Sequence, residues 1–314
     1  MNYHKQRGAT MSSQKLRNLR TYHFRNSRAL DVARWNYQFE DGSVQDVLKA
    51  LACYQNADGG FGHGLEPDIR TAESNPMSTW AATRILRECH LPDMSDRMIQ
   101  KILSYLAASL REDRRWPATV EVTNEAPHAP WYHYVPGTEV WGWNPTIELS
   151  AFILTCAQRP SDLYSLAEQI IKEAMTAIMS PDFTPEGHEL SNICEAGTML
   201  LKVRSDLLPD NFFSRVIQLI DKLIVRDLSQ YNNTDYIITP EFILNSPDSP
   251  YYPGISSIAD QYCTYLEQSI NESGYWDLNW TWGNDPLPPD SQREWRGVLI
   301  MQHMLYLQHF KPLP

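Results

Sequence analysis

The sequence predicts an all-α fold built from helical hairpins. Three observations carry that expectation. Apolar residues recur at three- and four-residue spacings along most of the 314-residue chain, no stretch alternates as a strand would, and no βαβ unit can be traced. Periodic segments occupy 28–39, 44–55, 76–90, 97–110, 145–158, 163–179, 188–204, 209–228, 255–270 and 291–310. The clearest are 97–110, with Met98, Ile99, Ile102, Leu103, Leu106 and Leu110 on one face, and 209–228, with Phe212, Val216, Leu219, Ile220 and Leu223. Segment 163–179 repeats the pattern with Leu163, Leu166, Ile170, Ala174 and Ile178.

The helix starts are related to one another. "NPMSTWAATRIL" (75–86) and "NPTIELSAFIL" (144–154) both read as an Asn N-cap, a Pro in the first turn and an apolar helix. Ala81 and Ala82 in one, Ser150 and Ala151 in the other, suit close packing on both flanks and suggest an inner ring of equivalent helices. Four connections are long, about 56–75, 111–144, 229–254 and 271–290, and seven of the ten tryptophans lie in them. Long connections in a compact helical protein are commonly functional.

The junctions into these loops also repeat. "YQNADGGF" (54–61) and "QSINESGYW" (268–276) each place a Gln near a helix end, then Gly and an aromatic residue, and "REDRRWP" (111–117) reads as a degenerate copy. Gly releases the chain from the helix, a Gln amide can tie loop backbone groups, and the aromatic ring covers the junction.

These motifs resemble the repeat of the terpenoid cyclase and protein prenyltransferase superfamily, in which a Gln-to-Trp pattern precedes a loop and an inner helix. The resemblance covers 43–90 best and 258–282 next. "ADGGFG" and "LEPD" are also similar to a pattern in bacterial prenyltransferase-like proteins. The resemblance implies an α/α toroid of five to six hairpins, with inner and outer rings around a central cavity. It also implies an isoprenoid or similar apolar substrate in that cavity. The superfamily's chemical signatures are not all present. The D-x-D-D acid of squalene-type cyclases and the D-D-x-x-D magnesium motif of ionising terpene synthases are missing. Asp260, Cys263 and His303 echo the prenyltransferase zinc ligands, but the Asp–Cys spacing is three where the family has two, so neither metal nor cofactor is assigned.

Composition bounds the partners. The chain carries a formal net charge of −11, and all 38 acidic residues follow residue 30. An acidic body disfavours nucleic acid, which needs a basic face. Residues 1–27 hold Lys5, Arg7, Lys15, Arg17, Arg20 and Arg25 and are expected as a basic arm able to touch an anion, ahead of one helical domain over 28–314. No apolar run is long enough for a spanning helix. Five scattered cysteines without a C-x-x-C suit free thiols and a cytoplasmic setting.

Candidate chemistry concentrates in the loops. Asp58 fits a turn cap. Glu66 and Asp68 have no local structural task and are expected as catalytic acids, together with Asp277 and Asp285. His63 follows the Gly-rich turn and is a substrate-binding candidate. Trp80, Trp141, Trp143, Trp280 and Trp282 offer aromatic faces for carbocations or sugar rings, and an extended segment would aim Trp280 and Trp282 to one side. A ring of hairpins would bring 58–73, 131–143 and 274–285 to one rim. Three functions stay open: an isoprenoid enzyme, a carbohydrate-active toroid that cleaves glycosides with paired carboxylates, and a non-catalytic scaffold with its centre filled.

Overall fold

A computed structural model describes residues 11–90, 96–232, 237–244, 246–283 and 290–311. The described residues form thirteen α-helices joined by loops and short 3-10 turns, with only isolated β-bridges and no strand. The all-α expectation therefore holds. Among the described residues no helix is long and apolar enough to cross a membrane.

Helices pack first on their chain neighbours. Helix α2 (Ala29–Phe39) packs on α3 (Val44–Ala52), α4 (Pro76–Glu88) on α5 (Arg97–Ser109), and α6 (Thr146–Cys156) on α7 (Asp162–Ile178). Further on, α8 (Gly187–Val203) packs on α9 (Phe212–Leu223), and α12 (Ala259–Ser269) on α13 (Ser291–Phe310). A second set of contacts links alternate helices. Helix α6 touches α4 and α8, the one-turn α10 (Pro240–Ile243) touches α8 and α13, and α13 touches α2. The α2–α4 link is an ion pair, Arg34 to Glu88 at 2.8 Å.

Burial follows this order. Helix α6, "TIELSAFILTC", is buried from Thr146 through Leu154, as expected of a helix apolar on nearly every face. Helix α9 buries one stripe, Phe212, Val216, Leu219 and Ile220, and shows polar residues to solvent. Ser43, Asn75 and Ser161 cap α3, α4 and α7 through their side-chain oxygens, as short polar residues do at helix starts.

The junction repeat is real and threefold. In the turns 56–60, 111–115 and 271–275 the first residue's N–H donates to the carbonyl four residues on, at 2.9–3.2 Å, and the fourth residue's N–H donates back to the first carbonyl. The fourth position is left-handed each time: Gly59 at φ 96°, Arg114 at 59°, Gly274 at 87°. The aromatic residue that follows is buried in all three, as Phe61, Trp116 and Trp276. Phe61 and Trp116 each donate their backbone N–H to a Thr hydroxyl of the next helix, Thr79 and Thr146, at 3.1 Å. Trp116 and Trp276 each donate the indole N–H to a carbonyl ten residues back, on Leu106 and Leu266. Gln55 ties the first turn by donating to the Gly59 and Met98 carbonyls, whereas Gln268 is exposed.

The basic segment differs from the expected arm. From Ser13 it is helix, α1 (Ser13–Asn26), which packs on α13 and buries Leu19 and His23 completely. Two of its cations are paired within the protein: Lys15 donates to the Glu267 carbonyl and Arg20 pairs with Glu40 at 2.5 Å, while Arg17 and Arg25 are exposed. Its buried face mixes Leu16 and Leu19 with His23, Tyr22 and Phe24 instead of a purely aliphatic stripe, so periodicity did not reveal it.

Candidate functional site

The loop after the first turn folds inward. Gly62 allows this, because a Cβ there would lie 2.3–2.4 Å from the Glu73 and Ala72 carbonyls. Arg28 then donates to the Leu65 carbonyl at 2.8 Å, Ser291 to the Pro67 carbonyl, and the Ala129 N–H to the Asp68 carbonyl at 2.9 Å. Arg70 pairs with Glu294 of α13 at 2.8 Å. Contacts from distant segments thus bury Glu66 and Asp68, and the indole N–H of Trp282 donates to Asp68 Oδ1 at 2.9 Å.

An aromatic cluster surrounds this pair. Ile69, Met77, Ala118, Ala129, Tyr132 and Trp282 are buried together, and the partly exposed Trp80, Trp141, Leu278, Trp280 and Trp295 pack around them. Tyr132 stacks on Trp141 at 5.6 Å, Trp131 on Trp282 at 6.4 Å, and Trp280 meets Trp295 edge-on at 5.2 Å. Three of the four long loops, 56–75, 111–144 and 271–290, therefore meet the starts of α4 and α13 at one place.

Six of the ten residues singled out in the sequence gather there: Glu66, Asp68, Trp80, Trp141, Trp280 and Trp282. Three do not. His63 is exposed and bonds the Asn56 side chain at 2.9 Å, next to the turn. Trp143 is buried in the main core under the Arg115 guanidinium, because the left-handed Gly142 turns it away from Trp141. Asp277 is 68% exposed, 3.7 Å from Arg296. Asp285 lies outside the described residues.

The electrostatics of the pair are unusual. Burial pushes the Glu66 carboxyl up to about 8, and the Asp68 charge adds to the effect. Glu66 Oε1 is buried without a hydrogen-bond partner. Burial also raises Asp68, to about 6, against the Trp282 N–H, which favours its anion. Trp295 makes no well-formed hydrogen bond, yet its N–H lies close enough to act in the same direction. At neutral pH the pair therefore holds about one proton.

Behind Trp80 the interior is ionic. Trp80 donates to Glu148 at 2.8 Å, and Arg84 stacks over Trp80 at 4.4 Å while donating to Glu148 and Ser191. Arg87 bridges Glu148 and Glu195. Arg34 joins Glu88 to Asp31, and Arg28 also binds Asp31. Four arginines face four carboxylates. Glu148 and Asp31 are fully buried, but Arg84 and Glu195 keep 27% and 30% side-chain exposure, so solvent reaches part of this interior.

The best-formed hollows are shallow. One of about 470 Å³ lies between α2 and α3 at Val32, Asn36, Gly42 and Asp46, and one of about 380 Å³ lies at Leu228, Gln261 and Tyr265. Neither reaches the aromatic cluster. Among the described residues no group of three or more His, Cys, Asp or Glu side chains could hold a metal ion. Asp260, Cys263 and His303 belong to no such group, and His303 is bonded to Glu241 at 2.7 Å.

Sequence reasoning missed Trp295, which sits within a helical pattern, and the arginines of α4, whose charge reads as a solvent face. Glu148 did leave a signal: it is the one acid in the apolar helix "TIELSAFILTC". Comparison with known proteins adds nothing to this picture, since no family model, no curated protein and no solved structure matches the chain.

Proposed function

We propose that this protein is an α/α toroid acting on an uncharged saccharide at the mouth of its ring. Helices α2, α4, α6, α8, α10 and α13 would form the inner ring, in keeping with their successive contacts. Such rings host unrelated chemistries, so the fold alone does not select one. The observation that carries the reading is the junction of half-exposed tryptophans with a charge-balanced polar interior. Sugar rings stack their C–H faces on indoles, and their hydroxyls bond to alternating Arg and Glu groups. The carboxyl pair beneath Trp282 keeps a proton at neutral pH, which protonation of a glycosidic oxygen requires.

The isoprenoid reading fits less well. A prenyl diphosphate needs surplus cations or a bound divalent metal, and the arginines near the cluster are matched one for one by carboxylates. The interior beyond Trp80 is ionic where an isoprenoid tail would need apolar walls.

The test is a tryptophan-fluorescence titration with neutral cello-, malto- and chito-oligosaccharides beside prenyl diphosphates with and without magnesium. A saturable response to a saccharide, weakened about fivefold by Trp280→Ala, supports the reading, since an aromatic stacking partner contributes about 1 kcal/mol. A response to prenyl diphosphates alone contradicts it. Binding saccharides should also show cleavage, abolished in Asp68→Asn.

A further inference from the structure

One aromatic ring near the cluster is displayed instead of packed. Trp131 is 40% exposed, the one aromatic residue among the exposed large apolar side chains of the described protein. Its ring lies within 22° of parallel to Trp282, which caps Asp68.

The segment that carries it is held firmly. Asn124 closes its ends by donating its side-chain amide to the Tyr134 carbonyl at 3.0 Å and accepting the Tyr134 N–H at 2.8 Å. Its body is tied to the acid loop twice, by the Ala129 N–H to the Asp68 carbonyl and the Arg70 N–H to the Pro127 carbonyl. A 3-10 turn over Pro130–Tyr132 sets the ring's direction, and Tyr132, next in sequence, is buried in the cluster. His128 bonds the Ala126 carbonyl at 2.7 Å and His133 at 3.1 Å, which braces both flanks of that turn. An exposed indole on so constrained a segment loses little entropy on binding.

We propose that Trp131 forms an outer sugar subsite, so that the ligand is an oligosaccharide extending outward from the ring nearest Asp68. This rests on the saccharide reading above. The apolar patch is small for a protein partner: Trp131 and Val135 are its exposed large apolar side chains, with Pro130 and Pro136 beside them, short of the roughly 800 Å² per side of a standard interface. A single flat ring parallel to its neighbour suits the next sugar of a chain.

The experiment compares disaccharides and hexasaccharides of the cello-, malto- and chito- series on wild type and Trp131→Ala, by calorimetry. The expected result is a loss of about three- to tenfold in hexasaccharide affinity, with disaccharide affinity unchanged. Asn124→Ala, which loosens the segment but keeps the ring, should give a smaller loss of the same kind. Equal losses for both lengths, or no loss for either, overturn the outer subsite and leave the saccharide reading standing. No binding of any saccharide to wild type overturns both.

Discussion

Asp58 and Asp68 stand in the same loop and are held in opposite ways. Asp58 accepts from the Gly60 N–H at 3.0 Å and the Ser74 hydroxyl at 2.7 Å, all within the turn and its return. Asp68 is buried by tryptophans from the far end of the chain, and its carboxyl is raised by that burial. The first half of the loop is explained by local backbone needs. The second half serves no local need and gains its surroundings only from the assembled fold. The comparison teaches where to look for chemistry: at the polar group whose environment the local chain does not require.

Substitutions can break this contrast. Gly59→Ala should have the largest effect, a loss of about 3–4 kcal/mol by urea unfolding. Its left-handed φ costs about 1–2 kcal/mol for any L-residue, and its Cβ would lie 2.1 Å from the Lys101 carbonyl of α5. A loss under 1 kcal/mol would mean that the turn does not lock the hairpins.

Next comes the pH dependence of stability, which the acid pair should dominate. Both carboxyls sit above their unfolded values, so the folded protein holds protons that the unfolded chain has released. Their full stability is present below about pH 4 and is lost as pH rises through about 6 and then about 8. The decline should be on the order of a few kcal/mol. Glu66→Gln should flatten its upper part, measured by denaturant unfolding at pH 5, 7 and 9. An unchanged slope in the variant would place the titrating group elsewhere.

The smallest effect sharpens the turn side of the comparison. Arg114 occupies the left-handed position that is glycine in the other two copies. Arg114→Gly should stabilise by about 0.5 kcal/mol, because relief of the backbone outweighs glycine's entropy and an exposed pair with Glu173. A clear destabilisation would show that the Glu173 pair holds the junction.

Much of this was legible in the sequence, for reasons that differ by element. Helices such as α4 and α5 were readable because an apolar stripe and a capping side chain, Asn75 or Asp96, fixed their ends within a residue or two. Helix α1 was not, since its burial rests on Leu19, His23 and stacking such as Tyr22 on Tyr275. Helices α10 and α11 (Tyr252–Ile255) span one turn each, too short for periodicity to register. Glu66, Asp68, Trp141, Trp280 and Trp282 stood out because they interrupt loops that need neither acids nor indoles. Trp143 was misplaced because one left-handed glycine reverses a ring's direction, which residue spacing does not encode. Apart from Glu148, the Arg–Glu interior was hidden for the opposite reason: each charge alone is ordinary on a helix surface, and only the packing of α4 against α6 and α8 turns those surfaces inward.

The second half of the loop forms a dry acid pair able to hold a proton near neutral pH. Carboxyl-carbon NMR, with Glu66→Gln and Asp68→Asn assigning the signals, measures this directly. Two coupled titrations are expected above the ordinary carboxylate range, the upper one near pH 8 and abolished in Glu66→Gln. Two titrations near pH 4 would contradict it, leaving the loop a wet structural connector like the turn that precedes it.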